Sequence, residues 1–506
     1  MGRVAQLEMR LPQILTLGSV MSKYFYIISD GNFYANDIRE LAMQFFPEHT
    51  IKSGLPTESD ITLSVNREGM KVKSKIEFMG KKVEKEIVLV KDAQRRQIKT
   101  LLYEILSEFT ERSLKWGTMT GIRPARVAHG KLIEGKNKNQ VIDEIRREYK
   151  VEDRRISDLI DIACLEIKKL YPLDIKKMQL YINIPFCPTR CSYCSFITRD
   201  SNADSDVLSN YIEKLLEEIS FVGRGLKELG ACIESVYLGG GTPGILDAGS
   251  IESLLGAIRK HMPIDNVLEY TFEAGRPDTI TEEKLAAIKN SGIDRISVNP
   301  QSLNDATLSN IGRCHNVEEF YKAYELVEKF GFKTINCDMI IGLEGETKAD
   351  MVRTAEKLLG LGPENITVHS LSLKKSSYLK NSIHKESFFD ESETEKAACE
   401  IYRMFKSRQY VPYYIYRQKY TANNGENIGF SKAGHEGLYN MAIMSDKRSV
   451  IGLGAGSTGK VYYPDTDRFD RMETVKNIEL YIRDVKKIAA EKLKQIKSLA
   501  NDIDMF

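Results

Sequence analysis

The chain has 506 residues, more than one ordinary domain holds, so we expect two or three domains. Hydrophobic residues make up 42% and charged residues 28%, proportions that are typical of a soluble globular protein. Lys and Arg total 73 and Asp and Glu total 71, so the net charge of +2 gives no electrostatic reason to expect a nucleic-acid partner.

The sequence contains no apolar run near the ~20 residues that a membrane-spanning helix requires. The first residues faintly resemble a signal peptide around Leu11, but Glu8, Pro12 and Gln13 interrupt the pattern and no clean small-residue cleavage site follows. We therefore expect a cytoplasmic protein without a membrane span. Met21, shortly before the strand-like YFYII, is an alternative start of the chain.

The first part of the chain, 1–172, is predicted to form an accessory α+β domain. The segments 61–65, 70–78 and 83–90 alternate polar and apolar residues, as antiparallel strands with one wet face do. Helical patterns run from Asp92 to about Arg112 and from Asn139 to Leu170, on either side of the glycine- and proline-broken segment KWGTMTGIRPARV at 115–127.

From about residue 178, short β-branched strands alternate with helices. The six candidate strands are 178–184, 233–238, 268–273, 295–299, 334–341 and 365–372. Strand–helix alternation implies parallel strands with helical crossovers, so we predict an α/β fold with a partial (β/α)6 barrel over 173–375. An open doubly wound sheet is the alternative. The less regular segment 376–506 is predicted to be a C-terminal extension that covers the barrel mouth.

Three of the eight cysteines lie close together in YINIPFCPTRCSYCSF, directly after the first of these strands. Cys187, Cys191 and Cys194 have the spacing C-x3-C-x2-C, and the other five cysteines are scattered. Iron–sulfur clusters are held by cysteine thiolates, usually four, and three ligands leave one iron open to a reactant. The spacing predicts a [4Fe–4S] cluster. Zinc is the alternative, although the loop offers no fourth Cys or His.

This cysteine segment resembles the cluster loop of radical S-adenosylmethionine (SAM) enzymes, and more narrowly that of the oxygen-independent coproporphyrinogen III oxidase family. Further motifs recur in the family's order over about 178–460, and WG-x-x-TGIRP at 116–124 resembles its HemZ-type branch. These motifs are GGGTP at 239–243, EAG at 273–275, NPQSL at 299–303, NIGRCH at 310–315 and INCDMIIGLEGET at 335–347.

The resemblance implies a radical SAM barrel whose SAM site lies at or near the carboxyl ends of the strands. A glycine run lets backbone N–H groups approach the methionine end of SAM, while a carboxylate receives its amine and an arginine holds its carboxylate. The implied cofactor contacts are Tyr181, Tyr193, Gly240, Gly241, Thr242, Glu273, Gln301, Arg313 and Asp338, and the implied metal ligands are Cys187, Cys191 and Cys194.

The resemblance also implies the reaction. Family members cleave SAM with an electron from the cluster, and the resulting 5′-deoxyadenosyl radical abstracts a substrate hydrogen. Two propionate carboxylates of coproporphyrinogen III leave as CO2 in anaerobic haem (porphyrin) biosynthesis. Expected partners are coproporphyrinogen III or a related tetrapyrrole and a flavodoxin- or ferredoxin-type electron donor. Two alternatives stay open: a haem-binding or haem-delivery protein of this family, and a radical SAM enzyme acting on haem itself.

Several residues depart from the family pattern. Asn183 stands where a histidine is usual, Arg276 follows EAG where asparagine-proline is usual, and Glu344 replaces a proline. The N-terminal tail that contacts substrate in the authentic oxidases has no counterpart here.

Other residues allow more than one interpretation. GAGSTGK at 454–460 fits a P-loop except that Val461 replaces Ser or Thr, so we do not expect ATP binding. We interpret His315 and His369 as residues that make ordinary polar contacts. A role as ligand or proton donor is the alternative for each. The pairs Arg123 with Arg126 and Lys374 with Lys375 are candidate receivers of substrate carboxylates, with a solvated surface role equally open.

Overall fold

The computed structural model describes residues 24–30, 34–47, 49–57, 60–196, 199–201, 205–372, 391–418 and 425–503. Met21, Lys374 and Lys375 lie outside these residues. Among the described residues, those up to Ile160 form one compact unit and those from Asp161 form a second. No helix in the described part of the chain is long and apolar enough to cross a membrane.

The first unit is a five-stranded sheet with helices. Its strands are β1 (Tyr24–Ser29), β2 (Thr50–Lys52), β3 (Ile61–Glu68), β4 (Lys71–Phe78) and β5 (Lys81–Val88), and its helices are α1 (Ala35–Phe45), α2 (Gln94–Thr110), α3 (Ala125–Ile133), α4 (Lys138–Tyr149) and the start of α5 (Asp153–Leu170). The strand order is β2-β1-β3-β4-β5. The predicted antiparallel set β3, β4 and β5 is confirmed, and β1 adds a parallel partner to β3. Apolar residues of the sheet, α1 and α2 share one core.

The predicted single helix from Asn139 to Leu170 is wrong: the structure has two helices, α4 and α5. Lys150 ends α4 in the left-handed region, with φ of +58°, and its N–H donates to the Arg146 carbonyl. The break leaves room for the WG segment, because a Cβ at Gly117 would lie 1.9 Å from the Tyr149 carbonyl oxygen. Apolar periodicity continues across the break, which is why the sequence pattern did not indicate it.

The second unit contains the remaining elements. Its strands are β6 (Lys177–Ile184), β7 (Phe186–Cys187), β8 (Arg199–Asp200), β9 (Cys232–Gly240), β10 (Glu269–Gly275), β11 (Arg295–Val298), β12 (Thr334–Ile341), β13 (Asn365–Ser370), β14 (Val411–Arg417), β15 (Glu426–Ser431), β16 (Ser449–Leu453), β17 (Thr458–Tyr463) and β18 (Arg468–Glu473). Its helices are α6 (Ser205–Glu228), α7 (Ala248–His261), α8 (Glu282–Asn290), α9 (Asp305–Asn310), α10 (Val317–Lys329), α11 (Lys348–Leu361), α12 (Glu391–Ser407), α13 (Leu438–Ser445) and α14 (Ile478–Ile503).

Six parallel strands of this unit pair in chain order: β6, β9, β10, β11, β12 and β13. This consecutive order confirms the predicted partial barrel. A doubly wound sheet would instead reverse its strand order at a switch point. The apolar row on α6 is buried as its periodicity predicts, with Tyr211, Leu215 and Val222 facing the core. All six strands therefore present their carboxyl ends at one mouth.

The C-terminal segment extends this sheet at both edges, which the sequence pattern did not indicate. β15 pairs antiparallel with β13 and β14 follows it, while β16 lies parallel to β6 and leads to β17 and β18. The P-loop-like GAGSTGK is the turn and following strand of the β16–β17 hairpin. Its Lys460 is buried in an ion pair with Asp446 at 2.6 Å, so its ammonium binds a carboxylate of this chain.

Candidate cofactor site

The cysteine loop, 187–194, leaves β6 at the mouth of the barrel. Cys191 is buried, and Cys187 and Cys194 are half-buried with thiols that form no disulfide. The backbone N–H of Cys194 donates to the Cys191 carbonyl at 3.1 Å, and the N–H of Ser192 donates to the Ile311 carbonyl at 3.0 Å. Burial raises the pKa of the Cys194 thiol. The three sulfur atoms thus lie on one short loop that is anchored to the chain beside it.

The donor set of this loop fits an iron–sulfur cluster better than a single ion. Among the residues that the structure describes, no three His, Cys, Asp or Glu side chains converge as the ligands of one metal ion do. This gives no support to the zinc alternative. A [4Fe–4S] cluster is several ångströms across, so its thiolates stand farther apart than the ligands of one ion. Three thiols that form no disulfide, beside an open cavity, fit such a cluster.

The cavity at the mouth has a volume of about 360 Å³, within the usual range for small-molecule sites. The structure brings all twelve predicted site residues to its lining. These residues are Tyr181, Cys187, Cys191, Tyr193, Cys194, Gly240, Gly241, Thr242, Glu273, Gln301, Arg313 and Asp338. Their convergence from five of the six barrel strands and the loops that follow them makes this cavity the candidate cofactor site.

The glycine motif at the end of β9 lies tightly against the end of β6, directly before the cysteine loop. A Cβ at Gly240 would lie 2.1 Å from Asn183 Oδ1, and one at Gly241 would lie 2.2 Å from the Phe186 carbonyl oxygen. The N–H groups of Gly241 and Thr242 donate to the carbonyls of Ile184 and Phe186, both at 2.8 Å. These two N–H groups are therefore used within the chain, and contact of Gly240, Gly241 and Thr242 with the methionine end of SAM stays a prediction. The glycines allow close approach of two backbones.

Glu273 on β10 is one of two carboxyl groups in the cavity lining, the other being Asp338. Its carboxylate accepts hydrogen bonds from the Tyr237 hydroxyl and the Gly240 N–H. Burial raises the pKa of Glu273 to about 7, and the neighbouring Asp338 carboxylate adds to this effect. A buried carboxylate of this kind is stabilised by a cation, so it suits the amine of SAM.

Asp338 on β12 faces His369 on β13. The Nε2 atom of His369 lies 3.8 Å from Asp338 Oδ2, and Asn336 Nδ2 donates to Asp338 Oδ1 at 2.9 Å. Burial opposes ionisation of Asp338, but hydrogen bonding and charge from His369 lower its pKa below the ordinary value. The carboxylate is thus ionised and able to accept hydrogen bonds from hydroxyl groups such as those of ribose.

Arg313 is half-buried next to the cysteine loop. Its Nη1 donates to the Asn299 carbonyl and its Nη2 to the Tyr193 hydroxyl, both at 3.1 Å. Its Nε has no hydrogen-bond partner among the described residues. Because a buried N–H without a partner is costly, this atom points to an acceptor outside the chain, and a carboxylate fits.

Gln301 and Tyr181 also line the cavity. Gln301 has a φ of +67° and is bonded through its backbone to β12, where its N–H donates to the Asp338 carbonyl at 3.0 Å. Such backbone strain in a non-glycine residue clusters at functional sites. Tyr181 donates its hydroxyl to Asn183 Oδ1 at 3.1 Å, and its ring packs against those of Tyr237 and Tyr439, which also stack on each other.

The sequence reasoning missed part of the lining. Arg276 appeared only as a departure from the family pattern, and His369 was interpreted as an ordinary polar contact. Tyr416, Gln418 and Asn427 line the cavity from the end of β14 and the start of β15. The aromatic and β-branched residues of VPYYIYR are typical of a strand, although nothing in this run indicates which strand it pairs with. His315 is buried behind the loop, 3.9 Å from Asp278, and does not line the cavity.

Comparisons with known proteins agree with this fold. The family model "Radical SAM superfamily" matches residues 181–358. The oxygen-independent coproporphyrinogen-III oxidase-like protein HemZ of Bacillus subtilis is 35% identical over 416 residues, which are 81% of this chain and 83% of that protein. The heme chaperone HemW of Lactococcus lactis is 30% identical over 284 residues, 56% of this chain and 70% of that protein.

A solved structure supports the fold alone. The coproporphyrinogen III oxidase HemN of Escherichia coli, described as a radical SAM enzyme, aligns with a TM-score of 0.50 at 18% identity. The alignment covers 65% of this chain and 73% of that one.

The barrel and the cysteine loop define a radical SAM protein, a class that uses a [4Fe–4S] cluster and SAM. Within it, this chain belongs to the oxygen-independent coproporphyrinogen III oxidase-like family of the HemN/HemZ type.

Proposed function

We propose that this protein is an oxygen-independent coproporphyrinogen III dehydrogenase that converts coproporphyrinogen III to protoporphyrinogen IX. The observation that carries the proposal is the 35% identity to a coproporphyrinogen-III oxidase-like protein over 83% of that protein's length. A match of 416 residues is longer than the second unit, so it includes part of the first unit as well as the barrel. The substrate is therefore proposed from a relative of similar organisation.

The proposed roles of the cofactor residues follow from their chemistry. Cys187, Cys191 and Cys194 hold the cluster through their thiolates. Glu273 receives the amine of SAM and Arg313 holds its carboxylate through the Nε that has no partner in the described chain. When bound, the reduced cluster and SAM supply a strong hydrogen-abstracting radical.

The remaining cavity wall is proposed to receive the substrate. Tyr416, Gln418 and Asn427 come from the C-terminal strands, on the side of the cavity formed by β13 and β15. Asn427 Oδ1 accepts the Ser370 N–H at 3.1 Å, so its side chain is fixed beside His369. These residues orient a polar ligand and exclude water, which is what a reactive cofactor requires of its protein.

The proposed ligand set is tested by cysteine substitution after anaerobic reconstitution. Cys191→Ala is expected to lose the [4Fe–4S] absorbance and most of the bound iron. Cys314→Ala is the matched control, since Cys314 lies 3.7 Å from Thr189 Oγ1, close to the loop but outside its motif. Full cluster and SAM cleavage in Cys191→Ala would overturn the assignment.

The substrate is tested by anaerobic incubation of the reduced holoprotein with SAM and coproporphyrinogen III. The proposal expects protoporphyrinogen IX, detected after oxidation as protoporphyrin IX, and none in Cys191→Ala.

The second candidate is a haem-binding protein, favoured by several relatives described as heme chaperones, at 23–30% identity. Tight haem binding without decarboxylation would overturn the enzyme proposal in favour of this candidate.

A further inference from the structure

Arg276 follows the last residue of β10 and turns its side chain toward the cysteine loop. The side chain is 4% exposed and lines the cavity. Its Nε and Nη2 atoms donate to the two carboxylate oxygens of Asp278, at 3.1 and 3.0 Å. This two-point pairing fixes the plane of the guanidinium group and leaves Nη1 pointing to the other side.

The remaining nitrogen of Arg276 contacts the cysteine loop directly. Nη1 donates to Thr189 Oγ1 at 2.7 Å and to the Thr189 carbonyl at 3.3 Å. Thr189 lies between Cys187 and Cys191, so this contact anchors the first half of the loop to the end of β10. Its hydroxyl reaches the Gly312 carbonyl only at 3.5 Å, which is a weak bond.

The second half of the loop is anchored separately. Arg313 donates to the Tyr193 hydroxyl, and the Ser192 N–H donates to the Ile311 carbonyl. The two arginines therefore fix different halves of one loop. Both guanidinium groups also interact electrostatically with the Cys191 thiol.

The charge of Arg276 bears on any cluster that the loop holds. Asp278 lies on the side of the guanidinium away from Thr189, so the positive end of the ion pair faces the loop. A cluster bound by three thiolates becomes more negative when it is reduced. In a buried site of low dielectric, a nearby cation stabilises the reduced form more than the oxidised form. Lysine would keep the charge, but it lacks the planar fork that bonds Asp278 and Thr189 together.

We propose that Arg276 is a positioning residue of the cysteine loop, which ties Thr189 to the end of β10 and directs a buried positive charge at the cluster thiolates. This inference rests on the proposed function only in taking Cys187, Cys191 and Cys194 as the ligands. A merely structural role for Arg276 would be confined to its ion pair with Asp278 in the turn after β10.

The test uses the full chain, reconstituted anaerobically, as wild type and as Arg276→Gln, Arg276→Lys and Thr189→Val. Arg448→Gln is the matched control, because Arg448 pairs with Glu234 at 3.0 Å, is equally buried, and lies at the opposite ends of the parallel strands. Three quantities are measured: iron per chain, the midpoint potential by titration followed with EPR, and the rate of iron loss to a chelator.

Arg276→Gln is expected to lower the midpoint potential and to lose iron about tenfold faster, the effect of one lost charge-assisted hydrogen bond. Arg276→Lys is expected to keep a potential near that of wild type but to lose iron faster. Thr189→Val, which removes the Oγ1 acceptor of Arg276 and the weak bond to Gly312 but no charge, is expected to speed iron loss and leave the potential unchanged. Arg448→Gln is expected to lower thermal stability without changing the midpoint potential or the rate of iron loss.

The proposal is overturned if Arg276→Gln and Thr189→Val match wild type in potential and in iron loss. It is also overturned if Arg448→Gln shifts the potential as much as Arg276→Gln does, since the effect would then be general loss of stability. If Arg276→Gln does not fold, Thr189→Val and Arg276→Lys decide by the same measurements. Failure of the ligand assignment is distinct, because it appears as a cluster retained in Cys191→Ala.

Discussion

Lys492 on the last helix forms a buried ion pair with Glu218 on α6, with Nζ and Oε1 2.6 Å apart. Glu218 also accepts the Tyr481 hydroxyl at 2.7 Å and the Gly454 N–H at 2.8 Å. The loop that contains Gly454 continues to Ala455, whose carbonyl accepts the side-chain amide of Asn183. The last helix therefore fixes the loop that supports the end of the first barrel strand.

Substitution of Lys492 by Met is expected to be strongly destabilising. It would leave the Glu218 carboxylate buried without a cation, which costs about 3–5 kcal/mol of the free energy of unfolding. Chemical denaturation of the reconstituted protein measures this change. Lys494→Met on the exposed side of the same helix is the control and should change stability little. Equal effects of the two substitutions would show that the ion pair does not stabilise this unit.

Tyr237→Phe is expected to weaken SAM binding about tenfold, because it removes the hydroxyl that donates to Glu273 and fixes its carboxylate. Equilibrium dialysis with the reconstituted protein measures the affinity. Tyr270→Phe is the matched control on β10, since the Tyr270 hydroxyl is buried and has no hydrogen-bond partner among the described residues. If Tyr237→Phe binds SAM as wild type does, Tyr237 does not orient Glu273.

The pH dependence of the free energy of unfolding is expected to reveal the ionisation of Glu273. Its pKa is raised from 4.5 to about 7 by burial, so the folded state holds a proton that the unfolded state releases. Stability from this group is present below pH 4.5 and is lost as the pH rises to about 7, by about 3 kcal/mol. Glu273→Gln should remove this loss of stability. Chemical denaturation of both proteins at several pH values measures it.

The affinity for SAM should depend on pH in the opposite direction, because the SAM amine requires ionised Glu273. Binding is expected to tighten as the pH rises through about 7. Asp338, His369 and Tyr237 are the other groups that face Glu273. Glu346→Gln is the control: burial also raises the pKa of Glu346 to about 7, but Glu346 does not line the cavity. A flat SAM-binding profile in wild type would contradict the role of Glu273.

Gly240→Ala is expected to disrupt the cofactor site. The added Cβ would lie 2.1 Å from Asn183 Oδ1, and the φ of +111° is unfavourable for any residue with a side chain. Gly256→Ala on α7 is the control, because no atom lies within 4 Å of its added Cβ and alanine favours a helix by about 0.5–1 kcal/mol. Iron content and SAM binding should fall in the first variant alone. Unchanged iron content and SAM binding in Gly240→Ala would contradict the close packing of Gly240 against Asn183.

The cofactor site was largely predictable because its residues follow strands in fixed order. Each of the strands β6, β9, β10, β11, β12 and β13 is a short run that contains β-branched or aromatic residues, and the carboxyl ends of parallel strands meet at one mouth. The direction of a side chain was not predictable. Arg276 looked like a departure from a pattern, and only the fold shows that its guanidinium reaches Thr189, 87 residues earlier.

Two features of the fold also escaped the sequence pattern for physical reasons. β16 reaches β6 across more than 260 residues of chain, and nothing local in SVIGL indicates its partner. The break between α4 and α5 depends on one left-handed residue, Lys150, that is not a glycine. Local periodicity predicts elements, whereas edge pairing and single-residue backbone changes are decided by tertiary contacts.

The most direct test of the proposed reaction measures two products in one anaerobic incubation of the reduced holoprotein with SAM and coproporphyrinogen III. Each propionate that is lost should release one CO2 for each 5′-deoxyadenosine formed, so the proposal predicts equal amounts of both. Formation of 5′-deoxyadenosine without CO2, in a protein that retains its cluster, would show that this site cleaves SAM but does not decarboxylate coproporphyrinogen III.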